Sequence, residues 1–333
     1  MSALPRIAVI GTGGTISSLG ADSLDVLDYT DTNLRLEADE LVARFPECAA
    51  VADVVAIRHA AVPSTAIGPR EWIALAELIH ATVEREPGLA GLVLTHGTAT
   101  LEETAYFLNL VLKVEQPIVL VGAQRPASAL GTDAGMNLVG ALRTAGSAAA
   151  RGKGVLVTLN DEIHAAREVT KTSTYRLQTF RSPDFGALGH VDGDGVFFYR
   201  APLRRHAPET EFAITGRQDL PRVDIVLSCA GNDAWAIEAA VAAGARGIVS
   251  AGFAPGMVTP AERAALEAAR RNGIAVVQSS RAGSGRVAPR RYLQRNALLG
   301  ADSLTPQKAR ILLMLALAHT DDPAEWARMF GEY

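Results

Sequence analysis

Short runs of apolar residues recur along this chain, and each run closes on small or polar residues. The runs are, in order, IAVIG, GLVLTHG, PIVLVGA, GVLVTLND, DIVLSCAG, RGIVSAG and IAVVQSS. A strand that is half exposed alternates apolar and polar residues, whereas a near-continuous apolar strand is typical of a parallel sheet covered on both faces. The pattern therefore predicts buried parallel strands.

The segments between these runs have helical patterns. REWIALAELIHATVERE is amphipathic, TPAERAALEAARRNG begins with Thr-Pro and ends at Gly, and TPQKARILLMLALA begins in the same way. Alternating strands and helices predict an α/β fold with two doubly wound domains, mainly parallel sheets and right-handed crossovers. Sites in such sheets gather at the carboxyl ends of the strands, so we expect the chemistry just after the apolar runs.

The alternation lapses between residues 199 and 222, where proline and charged residues are frequent. We interpret residues 199–222 as a linker between domains. The sequence then predicts a larger N-terminal domain at residues 1–198, which carries the candidate chemistry described below, and a smaller C-terminal domain at residues 223–333.

The composition indicates a globular protein and disfavours two classes of partner. The 333 residues are 48% hydrophobic and 20% charged, with a formal net charge of −4. This balance is typical of a globular protein and argues against nucleic acid or a membrane surface as a partner.

The cysteines and the apolar stretches argue against a disulfide framework, a metal site, a secretory signal and a membrane-spanning helix. Cys48 and Cys229 belong to no Cys-x-x-Cys pair, which argues against a disulfide framework or a metal site. The first residues lack the pattern of a secretory signal, and ILLMLALA at residues 311–318 is too short to cross a bilayer. We therefore expect that stretch to be a buried helix and the protein to be cytoplasmic.

The first loop with candidate chemistry is IAVIGTGGTISSLG. Its glycines do not fit a dinucleotide fingerprint, because Ile16 occupies the place of the last glycine, and a Walker loop would need a lysine. A tight exit from a strand is one interpretation. The other is that Gly13 and Gly14 let the backbone approach a ligand closely and present the hydroxyl of Thr15 as a nucleophile.

The second loop is LVLTHGTATLEETAYFL, with a strand that ends near Thr95 and a helix that begins near Leu101. Thr100 and Glu103 have the spacing of a capping box, which favours a structural role for Glu103. His96 is interpreted as a packed turn residue rather than an acid–base group. Thr98 is then left with its hydroxyl near the start of a helix.

The third loop, LNDEIHAAREVTKTSTYRLQTF, places Lys171 among hydroxyl-bearing residues after a strand. One interpretation is an ordinary exposed lysine. The other is a lysine whose pKa is lowered enough to accept a proton from a hydroxyl.

Taken together, these loops resemble the bacterial-type L-asparaginase family, which includes glutaminase-asparaginases. The resemblance runs along nearly the whole chain through GTGGTIS, THGTATLEETAYFL, VGAQRP, LNDEIHAAREVTKTSTYRLQTF, GIVSAG, QSSR and TPQKARILL. It implies a two-domain α/β enzyme that hydrolyses a small amide. It also implies a homo-oligomer, either a tetramer or an intimate dimer with sites between subunits, and neither a metal nor an organic cofactor.

The resemblance also implies roles for individual residues. Thr15 is similar to the nucleophile of the family and Tyr29 to the tyrosine that assists it. Thr98 and Lys171 are similar to a threonine and a lysine that relay protons. Backbone N–H groups of Gly97 and Thr98 are candidate donors to an oxyanion.

The part of the site that would bind the rest of the substrate is less similar to the family. Ser64 matches a serine that meets the substrate carboxylate, but its neighbour Thr65 stands where relatives often have Gln. Ala99 stands where relatives have an aspartate that binds the substrate ammonium group. Arg290 falls about where some relatives have a glutamate for the same group, and Gly231 lies near an expected asparagine.

These departures leave the substrate open. A buried ammonium group without a carboxylate partner is costly, which favours substrates without a free α-ammonium group, such as succinamate-like or N-substituted amides. The alternative is ordinary L-asparagine hydrolysis, with Asp133 or Asp233 as the new acidic group in place of the lost aspartate. Asn232 or Asp233 is the candidate to replace the asparagine expected near Gly231. A non-catalytic protein that binds small acids on the same scaffold is a further alternative.

Overall fold

The computed structural model describes residues 3–333. The chain divides into two compact units, Met1–Thr210 and Glu211–Tyr333.

The first unit is built on an eight-stranded sheet with the strand order β10-β9-β6-β5-β4-β3-β1-β2. The neighbouring strands β5, β4, β3, β1 and β2 are parallel. The pairs β5–β6, β6–β9 and β9–β10 at the other end of the sheet are antiparallel. A separate antiparallel pair is formed by β7 and β8. The strands are β1 (Arg6–Gly11), β2 (Asp53–Arg58), β3 (Gly91–Thr95), β4 (Ile118–Val121), β5 (Val155–Leu159), β6 (Glu162–Ala165), β7 (Thr170–Lys171), β8 (Phe180–Arg181), β9 (Gly189–Asp192) and β10 (Gly195–Phe198).

Helices cover the parallel part of this sheet, because its central strands are apolar on both faces. Every residue of β3, β4 and β5 is buried. On one face α4 packs into the main core, and elsewhere Trp72 of α2 stacks on Phe107 of α3 with ring centroids 5.4 Å apart. The helices of this unit are α1 (Ala38–Arg44), α2 (Pro69–Arg85), α3 (Leu101–Val111) and α4 (Ala134–Gly146).

The second unit contains a four-stranded parallel sheet with the order β11-β12-β13-β14. The predicted Thr-Pro helix starts are confirmed, since Thr259 and Thr305 accept hydrogen bonds from backbone N–H groups of the first turns of α6 and α8. The elements are β11 (Val223–Leu227), α5 (Trp235–Ala242), β12 (Gly247–Gly252), α6 (Pro260–Arg271), β13 (Ala275–Ser280), α7 (Arg291–Arg295), β14 (Leu299–Gly300), α8 (Pro306–His319) and α9 (Pro323–Glu332).

The predicted fold class is confirmed, with two α/β units and mostly parallel sheets. The stretch ILLMLALA lies in α8 and is buried, as expected. In the part of the chain that the structure describes, no helix combines the length and the apolar character needed to cross a membrane.

The segment expected to be a linker, residues 199–222, is described throughout and contains neither helix nor strand. The division between the two units falls inside it, after Thr210. Part of the segment is packed rather than free, since Phe212 is buried and its ring lies 5.0 Å from the ring of Tyr333 in the second unit.

Candidate functional site

The first two candidate loops start side by side at the carboxyl edge of the larger sheet. Strands β1 and β3 are parallel neighbours, with Gly11 opposite Thr95. The backbone N–H and the hydroxyl of Thr12 both donate to the carbonyl oxygen of Thr95, at 3.2 and 2.7 Å. The residues that follow each strand therefore leave the sheet together.

Glycines allow the two loops to touch. Gly14 has a φ of +92°, and a Cβ placed on it would lie 2.3 Å from the Cα of Gly97, closer than any side chain tolerates. A Cβ on Gly97 would lie 2.6 Å from the hydroxyl oxygen of Ser64. The close approach brings the residues next in sequence, Thr15 and Thr98, to the same edge of the sheet.

Thr15 is paired with a phenol. Its Oγ1 lies 2.8 Å from the hydroxyl of Tyr29, and both side chains are half-buried. Tyr29 is carried by an irregular segment that folds back on itself, where the hydroxyl of Thr32 donates to the carbonyls of Leu19 and Tyr29.

That segment is fastened to the turn before α4. The N–H of Gly20 donates to Ser128 Oγ at 2.8 Å, and the N–H of Leu130 donates to the carbonyl of Ser23 at 2.8 Å. Tyr29 is therefore held near Thr15 by bonds within the segment and by bonds from its first half to the turn before α4.

Thr98 is paired with an amine. The Nζ of Lys171, on β7, donates to Thr98 Oγ1 at 2.8 Å. Burial lowers the pKa of Lys171 below that of an exposed lysine, and the negative charge of Glu102 partly opposes this by raising it. The structure thus favours the interpretation of Lys171 as a perturbed lysine over that of an ordinary exposed one.

Glu102 is a residue that sequence reasoning did not single out. It is 6% exposed, and its Oε1 accepts hydrogen bonds from Thr170 Oγ1 at 3.0 Å and from the N–H of Lys171 at 3.1 Å. The feature that could have identified Glu102 is its position in the helix LEETAYFLNLV, in which nearly every residue is buried. A charged residue in such a helix needs a partner.

The prediction that His96 is a packed turn residue is confirmed. The ring is fully buried, with Nδ1 2.8 Å from the carbonyl of Gly97 and Nε2 2.9 Å from Thr104 Oγ1. A carbonyl only accepts, so Nδ1 carries the proton and Nε2 accepts from the Thr104 hydroxyl, which in turn accepts from Trp72 Nε1. Burial lowers the pKa of His96 to about 4, which keeps the ring neutral.

The predicted capping box between Thr100 and Glu103 is wrong. Thr100 is the N-cap of α3, but its side chain accepts no bond from the first turn. Its hydroxyl donates instead to the carbonyl of Ser64 at 2.8 Å. The loop around Ser64 competes successfully for that hydroxyl because it packs directly against Gly97.

The residues expected to contact the rest of the substrate differ in their exposure. Ser64 is buried beside Gly97, whereas Thr65 and Ala99 are exposed. Asp133, one candidate to replace the missing aspartate, accepts hydrogen bonds from the N–H groups of Gln124 and Arg125 and from Asn137 Nδ2. Its carboxylate is therefore already engaged in closing the turn before α4.

Asp233, the other candidate to replace the missing aspartate, and Asn232, a candidate to replace the expected asparagine, lie in the second unit. Asn232 Nδ2 donates to Glu262 Oε1 at 3.0 Å, and Asp233 Oδ1 accepts from the N–H of Trp235 at 2.9 Å. Arg290 donates to the carbonyl of Gly256. Within residues 3–333, His, Cys, Asp and Glu side chains form no group of three or more that could hold a metal ion.

Comparisons with known proteins find relatives along the whole chain. Residues 6–204 match the family model described as Asparaginase, N-terminal, and residues 222–330 match the Glutaminase/Asparaginase C-terminal domain.

Two curated relatives and one solved structure cover almost the full length. L-asparaginase 2 of Bacillus subtilis (strain 168) is 39% identical over 330 residues, which span 99% of this chain and 87% of that protein. The probable periplasmic L-asparaginase of Haemophilus influenzae is 37% identical over 338 residues, spanning 99% and 93%. The crystal structure of the probable cytoplasmic L-asparaginase from Campylobacter jejuni matches with a TM-score of 0.94 at 36% identity, covering 99% of this chain and 100% of that one.

Proposed function

The chain belongs to the asparaginase family, and we propose that it hydrolyses the side-chain amide of L-asparagine or a related small amide acid with Thr15 as the nucleophile. The observation that carries this proposal is the pair of hydroxyl contacts at one sheet edge. Thr15 faces the phenol of Tyr29 and Thr98 faces the amine of Lys171, each at 2.8 Å.

In the first half of the proposed reaction, Thr15 Oγ1 attacks the carbonyl carbon of the amide. The hydroxyl proton leaves through the neighbouring hydroxyl and amine groups, and the backbone N–H groups of Gly97 and Thr98 donate to the oxyanion. The C–N bond then breaks, the leaving nitrogen takes a proton, and ammonia departs from a threonyl ester.

In the second half, water replaces ammonia. Neutral Lys171 accepts the proton of the Thr98 hydroxyl, which accepts a proton from the attacking water, and the new C–O bond forms as the ester bond to Thr15 breaks. Thr15 recovers its proton and the product is a carboxylate. A lysine whose pKa is lowered by burial suits this step, because a larger fraction of it is neutral near pH 7.

Ala99 favours a second candidate substrate class. Relatives with an aspartate here are expected to use it for the substrate ammonium group, whereas Ala99 offers only a methyl group and the carboxylate of Asp133 is engaged elsewhere. Amide acids without a free α-ammonium group, such as succinamate or N-acyl asparagines, are therefore proposed as the alternative to L-asparagine.

The site would act in a homo-oligomer in the cytoplasm, without nucleic acid or membrane as partner. The resemblance supports a tetramer or an intimate dimer, and one similar protein, from Campylobacter jejuni, is described as cytoplasmic. Neither a metal nor an organic cofactor enters the proposed steps.

Ammonia release by the purified protein tests this function. The substrates are L- and D-asparagine, L-glutamine, succinamate and N-acetyl-L-asparagine. We expect turnover of at least one of them and its loss in Thr15→Ala and Lys171→Met. Full activity in Thr15→Ala would remove the nucleophile assignment. If no amide is turned over while small acids raise the melting temperature, the chain is a binding protein.

A further inference from the structure

The carboxylate of Glu102 lies next to the proposed proton relay but belongs to none of its steps. It is 6% exposed, and Oε1 accepts from Thr170 Oγ1 and from the backbone N–H of Lys171. Its second oxygen, Oε2, is buried and has no hydrogen-bond partner among the described residues. A buried carboxylate with an incomplete set of donors is costly unless a positive charge lies nearby.

One helix start holds both ends of Lys171. Thr98 and Glu102 are four residues apart, on either side of the first residue of α3. Glu102 binds the backbone of Lys171, and Thr98 binds its Nζ at 2.8 Å. The lysine is therefore held at its backbone by the first turn of α3 and at its amine by the loop that precedes the helix, which leaves little freedom in the position of the amine.

We propose that Glu102 is the positioning residue of the relay, which anchors the strand of Lys171 so that the amine meets Thr98 and which adds a negative charge to the surroundings of that amine. The inference rests on the proposed function, since it assigns a part to Glu102 in the same site. Glu102 thus has two separate effects on Lys171, one as a hydrogen-bond acceptor and one as a negative charge.

The charged groups around Lys171 allow the sign of the charge effect to be derived. Burial lowers the pKa of Lys171, and the negative charge of Glu102 on α3 opposes this by raising it, by less. On β8, Arg181 lies opposite Thr170 and donates to Gln178 Oε1. Removal of the negative charge at residue 102 therefore lowers the pKa of Lys171 further.

The substitution Glu102→Gln isolates the charge. Glutamine keeps an oxygen that accepts from Thr170 Oγ1 and from the Lys171 N–H, so the anchor survives while the charge is lost. Glu102→Ala removes both. Glu103→Gln is the matched control, because it removes the same charge from the next residue of α3.

The first measurement is the pH profile of kcat/KM for ammonia release. The acid limb reports the conversion of protonated Lys171 to the neutral base. In Glu102→Gln we expect this limb to move to lower pH, with a maximum within a few-fold of the unsubstituted protein. Glu102→Ala should lose at least about tenfold in kcat because the amine is no longer held, and Glu103→Gln should leave the profile unchanged.

The second measurement needs no activity. Limited acetylation with acetic anhydride at a series of pH values, followed by mass spectrometry, gives the pH midpoint at which Lys171 Nζ becomes reactive. We expect Glu102→Gln to lower this midpoint relative to both the unsubstituted protein and Glu103→Gln. An unchanged midpoint in Glu102→Gln, or an equal change in Glu103→Gln, would overturn the inference.

The two measurements distinguish failure of the inference from failure of the proposed function. A shifted acetylation midpoint without ammonia release from any substrate removes the function but leaves the Glu102–Lys171 coupling intact. If Glu102→Gln does not fold, Glu102→Asp keeps the charge and shortens the reach. It should then lower kcat with an unmoved acid limb, and an unchanged kcat would contradict the positioning role.

Discussion

Gly14 and Gly97 are in backbone contact, and a Cβ placed on either would overlap the other loop or the Ser64 side chain that packs on it. The contact joins the loop after β1 to the loop after β3, 83 residues later in sequence. Thr15 and Thr98 follow these glycines directly, so the two hydroxyls owe their common location to the absence of side chains at the preceding positions.

The first prediction concerns this contact. Gly97→Ala would place a methyl group 2.6 Å from Ser64 Oγ, and we expect the loops to separate. Unfolding in urea should show a loss of about 1–3 kcal/mol in the free energy of unfolding, and ammonia release should fall at least tenfold. Gly88→Ala is the control, because nothing lies within 4 Å of a Cβ there. Equal stability of the two variants would show that the loops tolerate separation.

The second prediction concerns the phenol beside Thr15. Tyr29→Phe removes the hydroxyl that lies 2.8 Å from Thr15 Oγ1 and leaves the ring in place. We expect kcat to fall by about a hundredfold with KM nearly unchanged, because the proposed role of the lost group is to assist the nucleophile rather than to bind the substrate. Tyr199→Phe removes an exposed hydroxyl and should leave both constants unchanged. A rise in KM alone in Tyr29→Phe would assign the phenol to substrate binding.

The third prediction concerns substrate choice. Ala99→Asp adds a carboxylate at an exposed position beside Thr98. The ratio of kcat/KM for L-asparagine to that for succinamate should rise at least about tenfold, which corresponds to 1.4 kcal/mol. Ala99→Asn has nearly the same shape without the charge and should leave the ratio unchanged. If the aspartate and asparagine variants behave alike, position 99 does not face the substrate ammonium group.

The fourth prediction concerns acid stability. The pKa of His96 is about 4 in the folded protein, below its ordinary value of 6.5, because the ring is fully buried. The unfolded chain therefore binds a proton more readily, and the free energy of unfolding decreases as the pH falls from 6.5 towards 4, by up to about 3 kcal/mol. His96→Asn, although less stable, should lose this part of the pH dependence. A slope identical to that of the unsubstituted protein would show that the ring is not the titrating group.

Much of the site could be predicted because its determinants are local in sequence. The position of Thr15 follows from an apolar strand, two glycines and a hydroxyl, and the ends of β3 and the start of α3 follow from similar signals. The family resemblance that these motifs suggested is confirmed by relatives at 36–39% identity along the chain.

The features that were missed depend on distant partners. Glu102 meets Lys171 across 69 residues of sequence, and nothing near either residue indicates the contact. The side chain of Thr100 does not form the predicted cap, because its hydroxyl donates a hydrogen bond to the carbonyl of Ser64, 36 residues earlier. The antiparallel end of the larger sheet escaped notice for another reason, since β6, β9 and β10 have only four residues each and no long apolar run.

Thr65 and Ala99 are exposed although each directly follows a buried residue, Ser64 and Thr98, and this has a practical consequence for protein engineering. Both side chains are exposed, so substitutions there should cost little stability. A combinatorial library at these two positions, which we propose to contact the substrate, would therefore test changes in substrate selectivity. Gly14 and Gly97 cannot be varied in this way, because a Cβ on either would overlap neighbouring atoms. Positions that tolerate substitution and positions that do not thus lie within a few residues of each other in these turns.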